Sequence, residues 1–250
     1  MILGKPIAKG NTAEIYPYDK NQMIKVFHDH LPETEAGKEA FKQKAAYSYG
    51  LAVPEVIDLL KVNGKQAILM EYVNGRTLGD LYLNEPEHAE EYLKDSIETQ
   101  QKIHSITPES LEAMSDKLKR QIESVAQMSL KQKSYLVNKL ESMTFENRLC
   151  HGDFHLNNLI MADEKVYIID WVDASIGDPR ADVYRTFLLY SQFSKELAES
   201  YITLYCETSG LSRTEVLEWA PIIAGARLSE HVSTENENRL WEIVNDYCPF

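Results

Sequence analysis

The sequence changes its pattern near residues 70–75. Before that border, short alternating or β-branched runs are separated by turn signals; after it, apolar residues recur at helical spacing. Residues 2–8, 13–16 and 23–27 read as strands, with Gly10-Asn11-Thr12 turning the first into the second. Residues 33–49 predict a helix whose inner face carries Ala36, Ala40, Phe41, Lys44, Ala45 and Tyr47, and Gly50 stops it. Residues 53–60 are extended, Asn63-Gly64 is a hairpin turn, and 66–72 form the returning strand. Beyond Gly75, residues 89–104, 109–126 and 130–142 predict helices. A small β patch follows at 149–150, 159–161 and 166–169, and helical spacing resumes from Arg180 with breaks near Gly210, Pro221 and Ser233. The class is α+β: a small antiparallel-sheet lobe with one main helix over 1–73, then a mainly helical lobe over 74–250.

Charge follows the same border. The 250 residues hold 26 Lys+Arg against 39 Asp+Glu, a net −13 with His neutral. Residues 1–70 carry nine bases and eight acids, so they are nearly neutral; all the excess acid lies beyond them. Such a balance excludes a nucleic-acid binder that works through a broad basic face, and an anionic membrane as partner. It leaves small molecules, cationic ones favoured. No apolar run approaches the ~18 residues of a membrane span, and the start, MILGKPIAKG, is not a signal peptide. The three cysteines, Cys150, Cys206 and Cys248, are odd in number and far apart, which suits a reducing cytoplasm. Nothing in the sequence specifies an oligomer.

Chemistry concentrates in residues 151–170. The stretch reads His151-Gly152-Asp153-Phe154-His155-Leu156-Asn157-Asn158, and Asp170 ends the apolar run 166–169. Gly152 permits a sharp turn, so Asp153 sits on a loop. Asn158 and Asp170 are hard oxygen donors at either side of an apolar hairpin, and closing the hairpin brings them together. That is a place for a cation such as Mg²⁺, which takes a few protein oxygens and substrate phosphates.

This stretch resembles the catalytic loop of the aminoglycoside phosphotransferase and choline kinase superfamily, a branch of the protein-kinase-like fold. His151-Gly152-Asp153, His155, Asn158, Ile169-Asp170 and the continuation Gly177-Asp178-Pro179-Arg180-Ala181-Asp182 carry the resemblance. It implies a bilobal kinase-like fold and transfer of the ATP γ-phosphate to a small-molecule hydroxyl, with GTP as the other possible donor. Asp153 would orient the hydroxyl, with His151 and His155 beside it, and Asn158 and Asp170 would hold Mg²⁺. Lys25, unwelcome in mid-strand otherwise, sits where the family places its α/β-phosphate lysine. Its partner from the next helix would be Glu39, with Glu35 one turn away as the alternative. Gly10, Asn11 and Thr12 would cover the phosphates, and the backbone of Glu71 and Val73 would meet the adenine edge.

The same resemblance leaves several acceptors open: an aminoglycoside-type cation, choline, homoserine or a sugar-like alcohol. Some of Glu230, Glu235 and Glu237, near His231, are expected to line the acceptor pocket, and a carboxylate at Phe250 is another candidate. A kinase-like binding protein without turnover is the alternative from another class. A protein kinase is disfavoured, because the loop lacks the Arg of His-Arg-Asp and only eleven residues separate Asp170 from Asp182. His151 and His155 do not form a zinc pair, because Gly152 disfavours the helix that would align them and no HExxH pattern is present. Asp178 and Asp182 read as caps or braces of a helix start.

Overall fold

The computed structural model describes residues 3–10, 12–232 and 234–248. In chain order the elements are β1 (Ala8–Lys9), β2 (Ala13–Asp19), β3 (Gln22–Phe27), α1 (Glu35–Ser48), β4 (Val56–Val62), β5 (Lys65–Glu71), β6 (Arg76–Thr77) and α2 (Leu78–Asn84). Then come α3 (Ala89–His104), α4 (Met114–Ser124), α5 (Leu130–Ser142), β7 (Arg148–Cys150), β8 (Leu159–Ala162), β9 (Lys165–Ile168) and β10 (Ser175–Gly177). The chain finishes through α6 (Pro179–Phe193), α7 (Lys195–Ser209), α8 (Arg213–Leu217), α9 (Ala220–Arg227) and α10 (Glu237–Tyr247). Two compact units result. One comprises the chain up to Ser96 together with Leu156–Asp173, and the other Ile97–His155 with Ala174 onward.

The first unit is built on an antiparallel sheet in the order β1-β2-β3-β5-β4. Asn63 and Gly64 both have positive φ, 52° and 88°, and join Val62 to its partner Lys65. That is the two-residue turn whose twist suits a hairpin. Along β3 the side chains alternate. Ile24 and Val26 pack with Val62, Ala67 and Leu69 on one face, while Phe27 packs with Ala36 and Ala40 of α1 on the other, Met23 against them. Lys25 falls between Met23 and Phe27, so strand geometry sends it to the face that α1 covers. The β8–β9 hairpin belongs to this unit as well, joined to β6 through Arg76↔Met161 and Thr77↔Ile160.

The inner face of α1 differs from the expected one. Ala36, Glu39, Ala40, Gln43 and Ala46 are buried, whereas Phe41 and Tyr47 are about half exposed, at 54% and 47%. The stripe follows the helical period, but two of its members are polar. Both have partners: Glu39 meets Lys25 at 2.6 Å, and the Gln43 side-chain amide donates to the Pro54 carbonyl at 2.7 Å. A stripe scored by apolarity alone therefore slides onto the larger residues beside it.

The second unit is helical around the short pair β7–β10. Large side chains fill it, with Trp219, Tyr201, Tyr205 and Phe154 almost fully buried. The helix expected over 109–126 begins only at Met114, because Ala113 before it is extended. The Glu112 carbonyl accepts from Ile176 N–H, and Ala113 bridges Ile176. Gly210, at φ 78°, caps α7 in the left-handed conformation. Pro221 does not break a helix but occupies the first turn of α9, where its missing N–H costs nothing. Of the strand expected over 2–8, only Ala8 is in a regular strand among the described residues, and Ser233 lies outside them. Among the described residues, no helix is long and apolar enough to cross a membrane.

Candidate active site

In the first unit, one buried ammonium meets two carboxylates. Lys25 Nζ lies 2.6 Å from Glu39 Oε1 and 3.2 Å from Asp170 Oδ1. Of the two helix glutamates, Glu39 is the one that meets it, four residues (one turn) beyond Glu35 on the buried face. Burial alone would push the Lys25 ammonium down, but the charges of Asp170 and Glu39 reverse this, and its pKa is raised. Burial raises the Glu39 carboxyl, with Lys25 opposing. The lysine is thus held charged on a face where an unpaired ammonium would be costly.

The β8–β9 hairpin does what its sequence asks. Leu159 pairs with Ile168, and just outside that pair Ile169 N–H donates to the Asn158 carbonyl at 3.0 Å. Asn158 and Asp170 therefore leave the same end of the hairpin, Asn158 largely buried at 7% and the Asp170 side chain 38% exposed. Asp170 has φ 63°, a left-handed conformation that Asp tolerates better than most residues. An amide and a carboxylate oxygen at one hairpin end form a hard donor set that fits Mg²⁺. The Lys25 ammonium beside Asp170 adds charge for a polyanion.

The remaining positions of this unit are simpler. Gly10 N–H donates to Ala13 O at 2.9 Å, and its own carbonyl lies 3.2 Å from a ring nitrogen of His28. The Thr12 carbonyl accepts from His28 N–H, and Asn11 lies outside the described residues. Glu71 N–H is committed to the Glu55 carbonyl, and Val73 is buried.

In the second unit, the loop His151–Asp153 is held from beneath by one carboxylate. Asp182 Oδ1 accepts from Gly152 N–H at 2.7 Å, and Oδ2 accepts from His151 N–H at 3.2 Å. The same Oδ2 lies 2.9 Å from His104 Nε2 and 3.4 Å from Gln100 Nε2, while His104 Nδ1 meets the Tyr205 hydroxyl at 2.6 Å. Gly152 has φ 83°, where a Cβ would strain the turn. The Asp182 carboxyl is held below its ordinary range: burial opposes this, but the hydrogen bond and charge of His104 outweigh it. His104, Cys150 and Asp182 place ligand atoms within 4.8 Å of one another. His104 and Asp182 are bonded to each other, while the buried Cys150 thiol, its pKa raised by burial, donates to the Arg148 carbonyl at 3.7 Å. Asp178 caps α6, accepting from Arg180 N–H at 2.8 Å.

Asp153 projects from this loop with its side chain 25% exposed. Its N–H donates to His151 Nδ1 at 3.3 Å, and its Oδ2 lies 3.5 Å from His155 Nε2. Arg185 Nη2 is 3.8 Å from Oδ1. Burial would raise the Asp153 carboxyl; the hydrogen bond from His155 and the charge of Arg185 reverse this and hold it far below the ordinary carboxylate range. A carboxylate kept ionised on a rigid loop can accept a hydrogen bond from a hydroxyl.

The acidic cluster expected at the acceptor is already engaged. Glu230 pairs with Arg185 at 2.8 Å and Arg227 at 2.5 Å, and Glu235 with Arg227 at 3.0 Å and Arg239 at 2.8 Å. Glu237 is half exposed and lies 3.9 Å from His231, and Phe250 lies outside the described residues. The sequence reading missed His104, Tyr205 and Arg185. Only Arg185 carries a signal, a charged residue within the otherwise uncharged stretch 183–194.

Comparison with known proteins bears on the family and the fold. A family model described as the phosphotransferase enzyme family matches residues 19–217. Human acyl-CoA dehydrogenase family member 11 is 26% identical over 223 residues, covering 73% of this chain and 28% of the relative. Protein LicA of Haemophilus influenzae is 31% identical over 90 residues, 36% of this chain and 32% of that protein. The chain thus spans under a third of the length of these curated relatives. Among solved structures, a thermostable mutant of aminoglycoside phosphotransferase APH(4)-Ia, in ternary complex with AMP-PNP and hygromycin B, superposes with a TM-score of 0.70 at 14% identity, covering 96% of this chain and 92% of that one. Choline kinase LicA from Streptococcus pneumoniae gives 0.65 at 15% identity, covering 99% and 94%.

Proposed function

This chain belongs to the phosphotransferase enzyme family, and on that premise we propose that it is a small-molecule kinase that transfers the γ-phosphate of ATP to an alcohol. The observation that carries the reading is Asp153: an ionised carboxylate on a loop whose two preceding backbone N–H groups are pinned by Asp182. In phosphoryl transfer the protein contributes mainly position and charge. Asp153 accepts the hydrogen bond of the acceptor hydroxyl and turns its oxygen toward phosphorus. His155 and His151 brace it. Lys25, held by Glu39, meets the α/β-phosphates, the loop Gly10, Asn11 and Thr12 covers them, and the backbone at Glu71 and Val73 meets the adenine edge. Asn158 and Asp170 would hold Mg²⁺, which supplies neutralisation of phosphate charge when bound.

The acceptor is a small molecule. The similar structures have hygromycin B or choline as theirs, and the net charge of −13 favours a cation at long range. Glu230 and Glu235, however, are neutralised by arginines, so they do not serve as a ready cationic subsite. The screen for the acceptor must therefore span aminoglycosides, amino alcohols and uncharged sugars. Free Cys150, Cys206 and Cys248 support a cytoplasmic location.

The test is ATP consumption across that panel by the wild type, Asp153→Ala and Asp170→Ala. The wild type is expected to turn over at least one acceptor and both variants to lose that turnover. Undiminished consumption in either variant would overturn the assignment. Mg²⁺–ATP binding by calorimetry without any turnover would instead support a binding protein.

A further inference from the structure

Beside Asp153 the second unit contains a run of charges longer than one ion pair. Arg185 Nη2 lies 3.8 Å from Asp153 Oδ1 and 2.8 Å from Glu230 Oε2. Arg227 Nη1 takes the same Glu230 oxygen at 2.5 Å, and its Nε reaches Glu235 Oε2 at 3.0 Å. Arg239 closes the row, with Nη2 at 2.8 Å from Glu235 Oε1 and Nη1 donating to Leu188 O and Ser191 Oγ. The row joins α6, the end of α9, the segment after it and the start of α10.

Two properties set this row apart from a solvated surface network. Three of its members are nearly dry, with side-chain exposure of 8% for Arg185, 7% for Arg227 and 2% for Glu235, while Glu230 between the first two is 22% exposed. It also reaches the Asp153 loop: among these pairs three arginines meet two glutamates, and Arg185 faces Asp153, which lies 3.5 Å from His155, as a further carboxylate. Buried ion pairs are a poor way to gain stability, since apolar side chains of equal volume serve as well or better. What they do supply is a fixed direction, because a planar guanidinium shared between carboxylates has little freedom.

We propose that Arg185 is a positioning residue for Asp153, and that Glu230, Arg227, Glu235 and Arg239 are the scaffold that fixes Arg185. This rests on the reading that Asp153 orients the acceptor hydroxyl. At 3.8 Å the guanidinium is a fixed charge beside Oδ1, not a hydrogen-bond donor to it. It thereby holds one carboxylate oxygen and leaves the other, beside His155, to set the hydroxyl. Phosphoryl transfer is sensitive to such placement, since an error of ~1 Å in a reacting group costs on the order of a hundredfold in rate.

The experiment compares wild type, Arg185→Met, Arg185→Lys, Glu230→Gln and the double variant Arg185→Met/Glu230→Gln. Each is assayed for Mg²⁺–ATP turnover with the acceptor found in the panel, for slow ATP hydrolysis with water as acceptor, and for melting temperature. Arg185→Met is expected to lower kcat by about ten- to a hundredfold with KM for ATP nearly unchanged, as for a group that acts in the transition state. Arg185→Lys should recover part of the loss. Glu230→Gln should fall between, and the double variant should fall no lower than Arg185→Met, because the two act in series. A wild-type kcat in Arg185→Met, or additive losses in the double variant, overturns the proposal. So does a lowered melting temperature with kcat of the folded protein unchanged, the outcome of a merely structural role. A wild type silent with every acceptor and with water fails the kinase reading itself, and this inference with it.

Discussion

Replacing Asp182 by Asn tests how the loop His151–Asp153 is held. The carboxylate accepts from Gly152 N–H at 2.7 Å through Oδ1, and from His151 N–H, His104 Nε2 and Gln100 Nε2 through Oδ2. Asparagine keeps the shape but has one oxygen. Its better orientation places that oxygen at Oδ2 and points its NH₂ at Gly152 N–H, donor against donor. One charge-assisted bond is then lost, at about 1.5–3 kcal/mol, and the contacts that remain fall from charged to neutral strength at about 0.5–1 kcal/mol each. The sum is about 3–6 kcal/mol, and a chain of this length shifts its Tm by about 2–4 °C per kcal/mol. Asp182→Asn is therefore expected to melt ~6–24 °C below wild type, read by calorimetry at pH 7. Its kcat should fall at least ~10-fold, because the loop that carries Asp153 loses its anchor. A Tm within a degree or two of wild type, with normal turnover, would show that the loop does not depend on this carboxylate.

Two further outcomes follow from packing and charge. A Cβ at Gly75 would lie 2.2 Å from the Met161 carbonyl oxygen and 2.8 Å from Ile160 Cγ2, so Gly75→Ala should cost about 1–3 kcal/mol or more. Urea unfolding should show a lower midpoint at constant m, and an unchanged midpoint would mean that the β6–β8 pairing yields freely. Asp153, Asp182 and Glu235 are all held below their ordinary values in the folded protein. A carboxyl depressed on folding adds stability that is present above its unfolded value, near pH 4, and is lost as pH falls through the folded value. Melting temperature should be nearly flat from about pH 7 to 5 and fall steeply below about 4; a flat profile down to pH 2–3 would contradict the ion pairs described.

The parts legible in the sequence are those whose signal is local. Asn63-Gly64 specifies its hairpin through backbone preference alone, and the lysine in β3 stands out because a charge in mid-strand needs a partner. The hairpin that aligns Asn158 with Asp170 follows from two apolar runs and the turn between them. What escaped reading depends on partners remote in sequence. Gln43 belongs to the buried face of α1 because the Pro54 carbonyl awaits it there, whereas Glu39 is legible as the partner of Lys25 only through the family resemblance. The acids at 230–237 looked free because Arg185, in α6, takes hold of Glu230 from 45 residues away. His104 and Tyr205, 101 residues apart, show no sign in the sequence of sharing a proton.

The first compact unit is drawn from two separate stretches of chain, the part up to Ser96 and Leu156–Asp173. This bears on how this unit can be exchanged among relatives. A single crossover after the five-stranded sheet would transplant Lys25 and Glu39 but leave Asn158 and Asp170 with the recipient. Lys25 would then face a foreign Asp170, and β6 a foreign β8. A working chimera needs two exchanged segments, so natural recombination should seldom move Lys25, Glu39, Asn158 and Asp170 as one cassette. They are expected to change by point substitution, each constrained by its neighbours in the same unit.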